Sequence, residues 1–221
     1  MLSVFAVYKP RGISSYDVIR RIKKITGISR VGHAGTLDPL ARGVLVVGIG
    51  RDATRLLKNA VLKEKEYVAK IRLGVESSTD DGEGEKTILE IKHFPSRINI
   101  EGALLDFHGQ IEQVPPAYSA VKISGRRAYK LARKGVTLEL KPRKVVIYSI
   151  EALNYVWPNV GLRVVTGPGV YVRSIARDLG GKLGVGGYLY DLERVRVGEF
   201  TKDNAIPFDK LEEYLKNKSY D

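Results

Sequence analysis

The 221-residue sequence contains no cysteine. Disulfides, thiolate nucleophiles and sulfur-ligated zinc are thereby excluded, and the absence fits a reducing cytoplasm, where the protein is expected to reside. Histidine is scarce. His33, His93 and His108 form neither HExxH nor any other paired spacing suited to a metal, so no metal is expected. A run of about 18 apolar residues is also missing, and no membrane span is expected. The opening MLSVFAVYKPRG is apolar but short, without a basic leader or a small-residue cleavage pattern, and reads as a first β-strand.

What is present is ordinary in bulk and lopsided in charge. The hydrophobic share of 43% and charged share of 28% are those of globular proteins. The length allows one large domain or two small ones. Lys and Arg number 37 against 25 Asp and Glu, a net charge of +12. Such an excess favours a polyanionic partner, because each neutralised phosphate releases condensed counterions.

Strands and helices alternate without a strict βαβ repeat. VFAVY reads as a strand, and Ser14 or Ser15 can cap a helix through DVIRRIKKI to a stop at Gly27. Val18, Ile22 and Ile25 give that helix its apolar face. GHAGTLDPLARG has too many Gly and Pro for a regular element and reads as an ordered loop. VLVVGIG, KEYVAKIRLG, TILEIKHF, RKVVIYSIEAL and GLRVVTG read as strands. RDATRLLKNAV, INIEGALLDFHG, VYVRSIARDLGGKLG and PFDKLEEYLKNKSYD read as helices, the last fraying into charge. Strands outnumber long helices, so the expected class is α+β, with a mostly antiparallel mixed sheet flanked by helices. No repeat or linker marks a boundary, and one domain over residues 1–221 is expected. A basic segment at about 114–143, with Tyr118 and Tyr129 among its Lys and Arg, reads as an insertion able to stack on bases and grip phosphates.

Three short motifs point elsewhere and are discounted. VLVVGIGRDA matches a dinucleotide fingerprint, but Glu76 lies beyond the place of a ribose acid and the order is not βαβ. Ser119 and Lys122 match SxxK with no SDN or KTG behind them. Asp80-Asp81-Gly82 lacks the spacing of a calcium loop and reads as a turn.

One segment is more telling: Gly32-His33-Ala34-Gly35-Thr36-Leu37-Asp38-Pro39-Leu40-Ala41-Arg42-Gly43. By local physics, Asp38 before Pro39 is an ordinary turn residue, although a glycine-bracketed loop can also expose a carboxylate. The string as a whole resembles the GHxGxLDPxAxG motif of the tRNA pseudouridine-55 synthase (TruB) family. Further motifs follow in order. Lys9-Pro10-Arg11-Gly12-Ile13-Ser14-Ser15 resembles the family's KPxGxTS, with Ser14 for the usual Thr. Lys65-Glu66-Tyr67 resembles the strand of the active-site tyrosine, and Thr79-Asp80-Asp81-Gly82 the following turn. Val114 to Tyr129 resembles the thumb that closes over RNA. Gly169-Val170-Tyr171-Val172-Arg173-Ser174 resembles GTYIR, with Val170 for Thr, and Leu192 and Arg194 fit the motif after it. Val185, Gly187 and Tyr188 are further departures, none of which removes a group that the chemistry needs.

The resemblance implies a pseudouridine synthase fold and isomerisation of a T-loop uridine of tRNA at position 55, by base flipping and without a cofactor. It implies Asp38 as the catalytic carboxylate, Arg173 as its ion-pair partner, and Tyr67 stacked on the flipped base. His33 would hold the RNA loop, and Leu192 would wall the pocket. Lys9, Arg126, Arg127 and Tyr171 are expected to contact substrate. Family members commonly continue into a small C-terminal RNA-binding domain; the stop at Asp221 leads to the expectation of a short form acting as a monomer. A guide-RNA-dependent ribosomal relative and a non-catalytic RNA-binding or chaperone protein are the alternatives.

Overall fold

A computed structural model describes residues 3–123, 125–136 and 138–217. The chain begins with β1 (Ser3–Lys9), α1 (Ser15–Thr26), β2 (Val31–Ala34), β3 (Arg42–Ile49), α2 (Arg51–Leu62) and β4 (Lys65–Leu73). It continues with the hairpin β5 (Val75–Ser77) and β6 (Lys86–Ile88), then α3 (Arg97–Leu105), β7 (Gly109–Gln113), β8 (Lys122–Ile123), β9 (Arg126–Arg127) and α4 (Ala128–Ala132). The long antiparallel pair β10 (Arg143–Val156) and β11 (Asn159–Thr166) leads to α5 (Val172–Lys182) and β12 (Gly187–Val197). Last come β13 (Phe200–Thr201), β14 (Ile206–Pro207), a 3-10 turn at Phe208–Lys210 and α6 (Leu211–Lys216). The charged end of the tail, residues 218–221, lies outside the described residues, as do Ser124 and Thr137 of the basic segment.

The chain packs as two compact units, Met1–Val68 with Leu192–Asp221, and Ala69–Asp191. The passages between them fall inside β4 and β12. A boundary within a strand carries no glycine- or proline-rich linker, so composition does not betray it.

In the first unit the strands run in the order β14-β1-β3-β12-β4, with β2 paired to β3 and β13 to β12. β3 pairs antiparallel with β1 and β2, and parallel with β12 through Glu193↔Arg42 and Arg194↔Gly43. Its hydrophobic centre includes Ala6, Ala34, Val44, Val46 and Val197, with Leu57 and Ala60 of α2 packed on them. The dinucleotide fingerprint thus finds a strand followed by a helix, but β12 separates β3 from the next strand β4. α1 is fixed at both ends. Ser14 Oγ accepts from Asp17 N at 3.2 Å, Asp17 Oδ2 accepts from Ser14 N at 2.7 Å, and Gly27 closes the helix at φ 71°.

In the second unit the order is β12-β4-β11-β10-β7. β4 alternates as a half-buried strand should: Ala69, Ile71 and Leu73 enter the core and Lys70 faces water. Ile175, Ala176 and Leu179 are the buried face of α5. The sheet is mixed and mostly antiparallel, with flanking helices, as expected. Two details differ from the sequence reading. Of TILEIKHF only Thr87 and Ile88 are strand, the end of the three-residue β6, and the pairing with β5 stops at Ile88. The loop reading of GHAGTLDPLARG also yields in part, because β3 offers an edge that β2 takes up.

The N-cap of α1 is a local device with a measurable weight. Ser14→Ala is expected to cost about 1 kcal/mol of stability, and Ser14→Asp much less. Urea unfolding checks this, and equal midpoints for Ser14→Ala and wild type would contradict it.

Candidate active site

The Asp38 loop is suspended between the ends of β2 and β3, and side chains from three other elements hold it. Ser15, the first residue of α1, donates from Oγ to Leu37 O (3.0 Å) and accepts from Leu37 N (2.8 Å). Lys9, at the end of β1, is fully buried and donates from Nζ to Ala41 O (2.6 Å), Ile13 O (2.7 Å) and Pro10 O (2.9 Å). Arg194 of β12 is 1% exposed and spans the loop, donating from Nη2 to Gly35 O (2.9 Å) and from Nε to Val44 O (2.7 Å). Backbone bonds close the rest, from Gly12 N to Pro39 O (2.8 Å) and from Ala41 N to Asp38 O (3.0 Å). Gly43, at φ 113°, lies so close to the Arg194 backbone that a Cβ would meet its carbonyl oxygen at 2.2 Å. No other residue fits there.

The supports are cationic, and this sets the electrostatics. Burial pushes the Lys9 ammonium down to about 8, with Arg194 acting in the same direction and Asp38 opposing both. Lys65, at the start of β4, donates to Val61 O (2.8 Å) and Lys63 O (2.7 Å), and burial and Arg194 likewise lower it to about 8. His33 is depressed by burial and then by Arg194, which keeps its ring neutral at pH 7. Its Nδ1 is buried without a partner among the described residues.

Tyr67 and Leu192 belong to the same unit, each 7% exposed. All three protons of the Lys9 ammonium are taken by the backbone carbonyls, so Lys9 positions the loop and has none left for a phosphate.

The remaining expected residues lie in the second unit. Arg173, in the first turn of α5, is 4% exposed and pairs with the buried Asp81 carboxylate (3.5 Å). It also donates to Thr79 O (3.3 Å) and Tyr118 O (3.0 Å). Arg177 grips Asp80 at 2.9 Å and Val114 O at 2.9 Å, and Ser174 Oγ donates to Val114 O at 2.8 Å. Tyr171 exchanges two bonds with the Gln113 side chain, at 2.8 and 3.1 Å. The basic segment is thus rooted on α5. Beyond the root it forms the β8–β9 hairpin and α4, and Arg126 and Arg127 are exposed on β9. Asp80-Asp81-Gly82 is a turn, as expected, and its carboxylates serve arginines.

Sequence reasoning missed the roles of Arg194, Ser15 and Asp81. Arg194 matched a motif without a role, because nothing in ERVRV distinguishes a buried arginine from a solvated one. The usable signal was the pair Gly35 and Gly43, which marks a loop that something approaches closely. Ser15 was a rival N-cap; the cap is Ser14, and Ser15 holds Leu37 instead.

Lys9→Met leaves three carbonyls without their donor and is expected to cost about 3 kcal/mol or more. The pH dependence has a definite sign. Folding lowers the Lys9 pKa from 10.5 to about 8, so within that window unfolding takes up a proton. Wild type should gain stability relative to Lys9→Met as pH rises through the window. Thermal unfolding of both proteins checks it, and a gap that narrows would contradict it.

Residues 23–172 match the TruB family pseudouridylate synthase (N terminal domain), and residues 173–221 match the tRNA pseudouridylate synthase B C-terminal domain. The family's own division therefore falls within the span expected to be one domain. The chain is 46% identical over 212 residues to tRNA pseudouridine synthase B of Dehalococcoides mccartyi (strain CBDB1), covering 96% of this chain and 70% of that protein. It is 45% identical over 216 residues to the tRNA pseudouridine synthase B of Thermobifida fusca (strain YX), covering 94% and 73%. Among solved structures, a chain of a Cbf5-Nop10-Gar1 complex is similar with a TM-score of 0.73 at 32% identity, over 96% of this chain. The present chain spans about half of that one, 54%. A chain of an H/ACA RNP bound to a substrate RNA containing 2'-deoxyuridine gives 0.70 at 29% identity, covering 96% and 52%. With the Asp38 motif, its buried supports and this extent of identity together, the chain belongs to the TruB family of pseudouridylate synthases.

Proposed function

We propose that the protein isomerises a T-loop uridine of tRNA, at position 55, to pseudouridine, with Asp38 as the catalytic carboxylate. The observation that carries this is the immobilisation of the Asp38 loop by Lys9, Ser15 and Arg194. A carboxylate on a fixed loop needs little reorganisation when it meets the sugar. The reaction breaks the N1–C1′ bond, turns the released uracil and joins C5 to C1′. The C5 proton is lost and N1 ends protonated, so atoms balance without redox change or cofactor. The target base must leave its stack to reach the loop. Tyr67 is assigned to stacking on it, Leu192 to the apolar wall and His33, uncharged, to the RNA loop. Arg173 and Tyr171 take the roles that the family motif implies. Arg126 and Arg127 on the thumb contact the backbone phosphates. The enzyme works in the cytoplasm as a monomer, and no helix among the described residues is long and apolar enough to cross a membrane.

The chain is similar to chains of a Cbf5-Nop10-Gar1 complex and of an H/ACA RNP bound to a substrate RNA, yet identity is higher to proteins named tRNA pseudouridine synthase B, which favours the direct enzyme over the guide-dependent alternative. Turnover of bare tRNA, with no guide or partner protein, decides in favour of the direct enzyme.

Asp38→Asn is expected to reduce turnover by at least about 10³-fold while leaving RNA affinity little changed. Mapping pseudouridine in tRNA after incubation with the purified variant checks it, and substantial turnover would overturn the assignment. Arg126→Ala with Arg127→Ala should weaken RNA binding and reduce the slope of log affinity against log salt by about 1.5. An unchanged slope would mean that the thumb arginines never meet phosphate.

A further inference from the structure

We propose that the solvent face of the sheet in the second unit is a separate RNA-binding groove, which takes an unpaired segment of the same RNA outside the target loop. This rests on the RNA substrate proposed above.

Strand alternation builds the groove. On β4, Ala69, Ile71 and Leu73 are buried, which turns Lys70 and Arg72 to the opposite face. On β12, Gly187, Leu189 and Asp191 are buried, which turns Tyr188 and Tyr190 to the same side. The two cations and two aromatic rings line one depression of about 730 Å³, in the size range of ligand sites. Its floor is low because β11 carries Gly161 there. A Cβ on Gly161 would meet the Asn154 side chain at 2.7 Å, so Asn154 can fold over the strand. The Asn154 and Asn159 amides add donors and acceptors to the lining.

The chemistry of the lining selects the occupant. Among the described residues, no acidic side chain lines the groove. Lys70 and Arg72 have no counter-ion among the described residues, although most of the other half-exposed arginines in the chain do. Lys86, from β6, places its ammonium 4.8 Å from the centroid of the Tyr188 ring, so that ring is already polarised toward a cation. Tyr190 is 50% exposed, a large ring left in water on a regular strand. Cations set between exposed tyrosines on an open sheet match the needs of single-stranded nucleic acid. The phosphates meet Lys70 and Arg72, and bases stack on Tyr190. A duplex has no free base face to offer, so the occupant is an unpaired segment. None of these residues belongs to the Asp38 machinery, so the groove engages a second part of the RNA.

Two RNAs test this: full tRNA, and an isolated T-arm hairpin that presents only the target loop. The charge-reversed pair Lys70→Glu with Arg72→Glu should bind full tRNA about tenfold more weakly at physiological salt, with the log–log salt slope reduced by about 1.5. Its turnover of the hairpin should stay at the wild-type value. Tyr190→Ala should weaken binding of full tRNA at least about fivefold, and Tyr190→Phe should restore it, because the ring and not the hydroxyl does the stacking. All three variants alter exposed positions, and matched thermal unfolding confirms their folds. Wild-type affinity and salt slope for Lys70→Glu with Arg72→Glu on full tRNA would overturn the groove while leaving the catalytic assignment intact. A wild-type protein that neither binds nor modifies either RNA would overturn both.

Discussion

The buried guanidinium of Arg194 is the contact on which the first unit's arrangement turns. Gly35 precedes the Asp38 loop and Val44 follows it, and Arg194 bonds to a carbonyl of each. The group costs several kcal/mol to desolvate, and only a full set of hydrogen bonds makes such burial tolerable. That requirement runs in both directions. The loop cannot splay without orphaning the guanidinium, and β12 cannot shift along β3 without drawing Arg194 away from both carbonyls. Gly43 lets the two strands approach closely enough for the arrangement to exist.

The second unit repeats the logic with other partners. Arg173 and Arg177 reach from α5 to the 79–81 turn and to carbonyls at the root of the thumb. A side-chain amide, Gln113, and a hydroxyl, Ser174, complete the root. The outer part of the thumb carries its cations on a two-residue hairpin and a five-residue helix, elements too short to be stable by themselves. Rigid footing and a lightly built tip would suit the RNA contact proposed for this segment.

Much of this was legible beforehand, and what was not has definite causes. α1 could be read to its caps, since Ser14 and Gly27 act through local chemistry. β1, β4 and β11 carry the hydrophobic patterns of their burial. β12 was invisible because its inward positions include Asp191 and Arg194, so the period-2 pattern is broken where the strand passes the site. The boundary between units was hidden in β4 and β12 for want of a linker. Asp38 is singled out by its motif, not its physics: alone, an aspartate before proline is a turn. Lys9 was recognised as important but not as a support, since only three-dimensional structure shows three carbonyls converging on it. Tyr188 stood in plain view as a departure from a family pattern and Tyr190 was not singled out, and the meaning of both waited on the alternation of β12.

Asp38 has a second standing in the structure. It counters the burial of Lys9, as Asp17 also does, in a neighbourhood where Arg194 disfavours the protonation of Lys9, Lys65 and His33 alike. Active-site residues often weaken the fold that carries them, because like charges and unpaired groups are gathered for reaction. Here the sign is reversed: the carboxylate proposed for the reaction also favours the charged form of Lys9, and discarding it would leave the neighbouring cations more poorly compensated. A descendant that lost catalysis would thus have reason to keep the aspartate. Retention of this residue in a relative is for that reason a weaker sign of surviving activity than its place in the motif suggests.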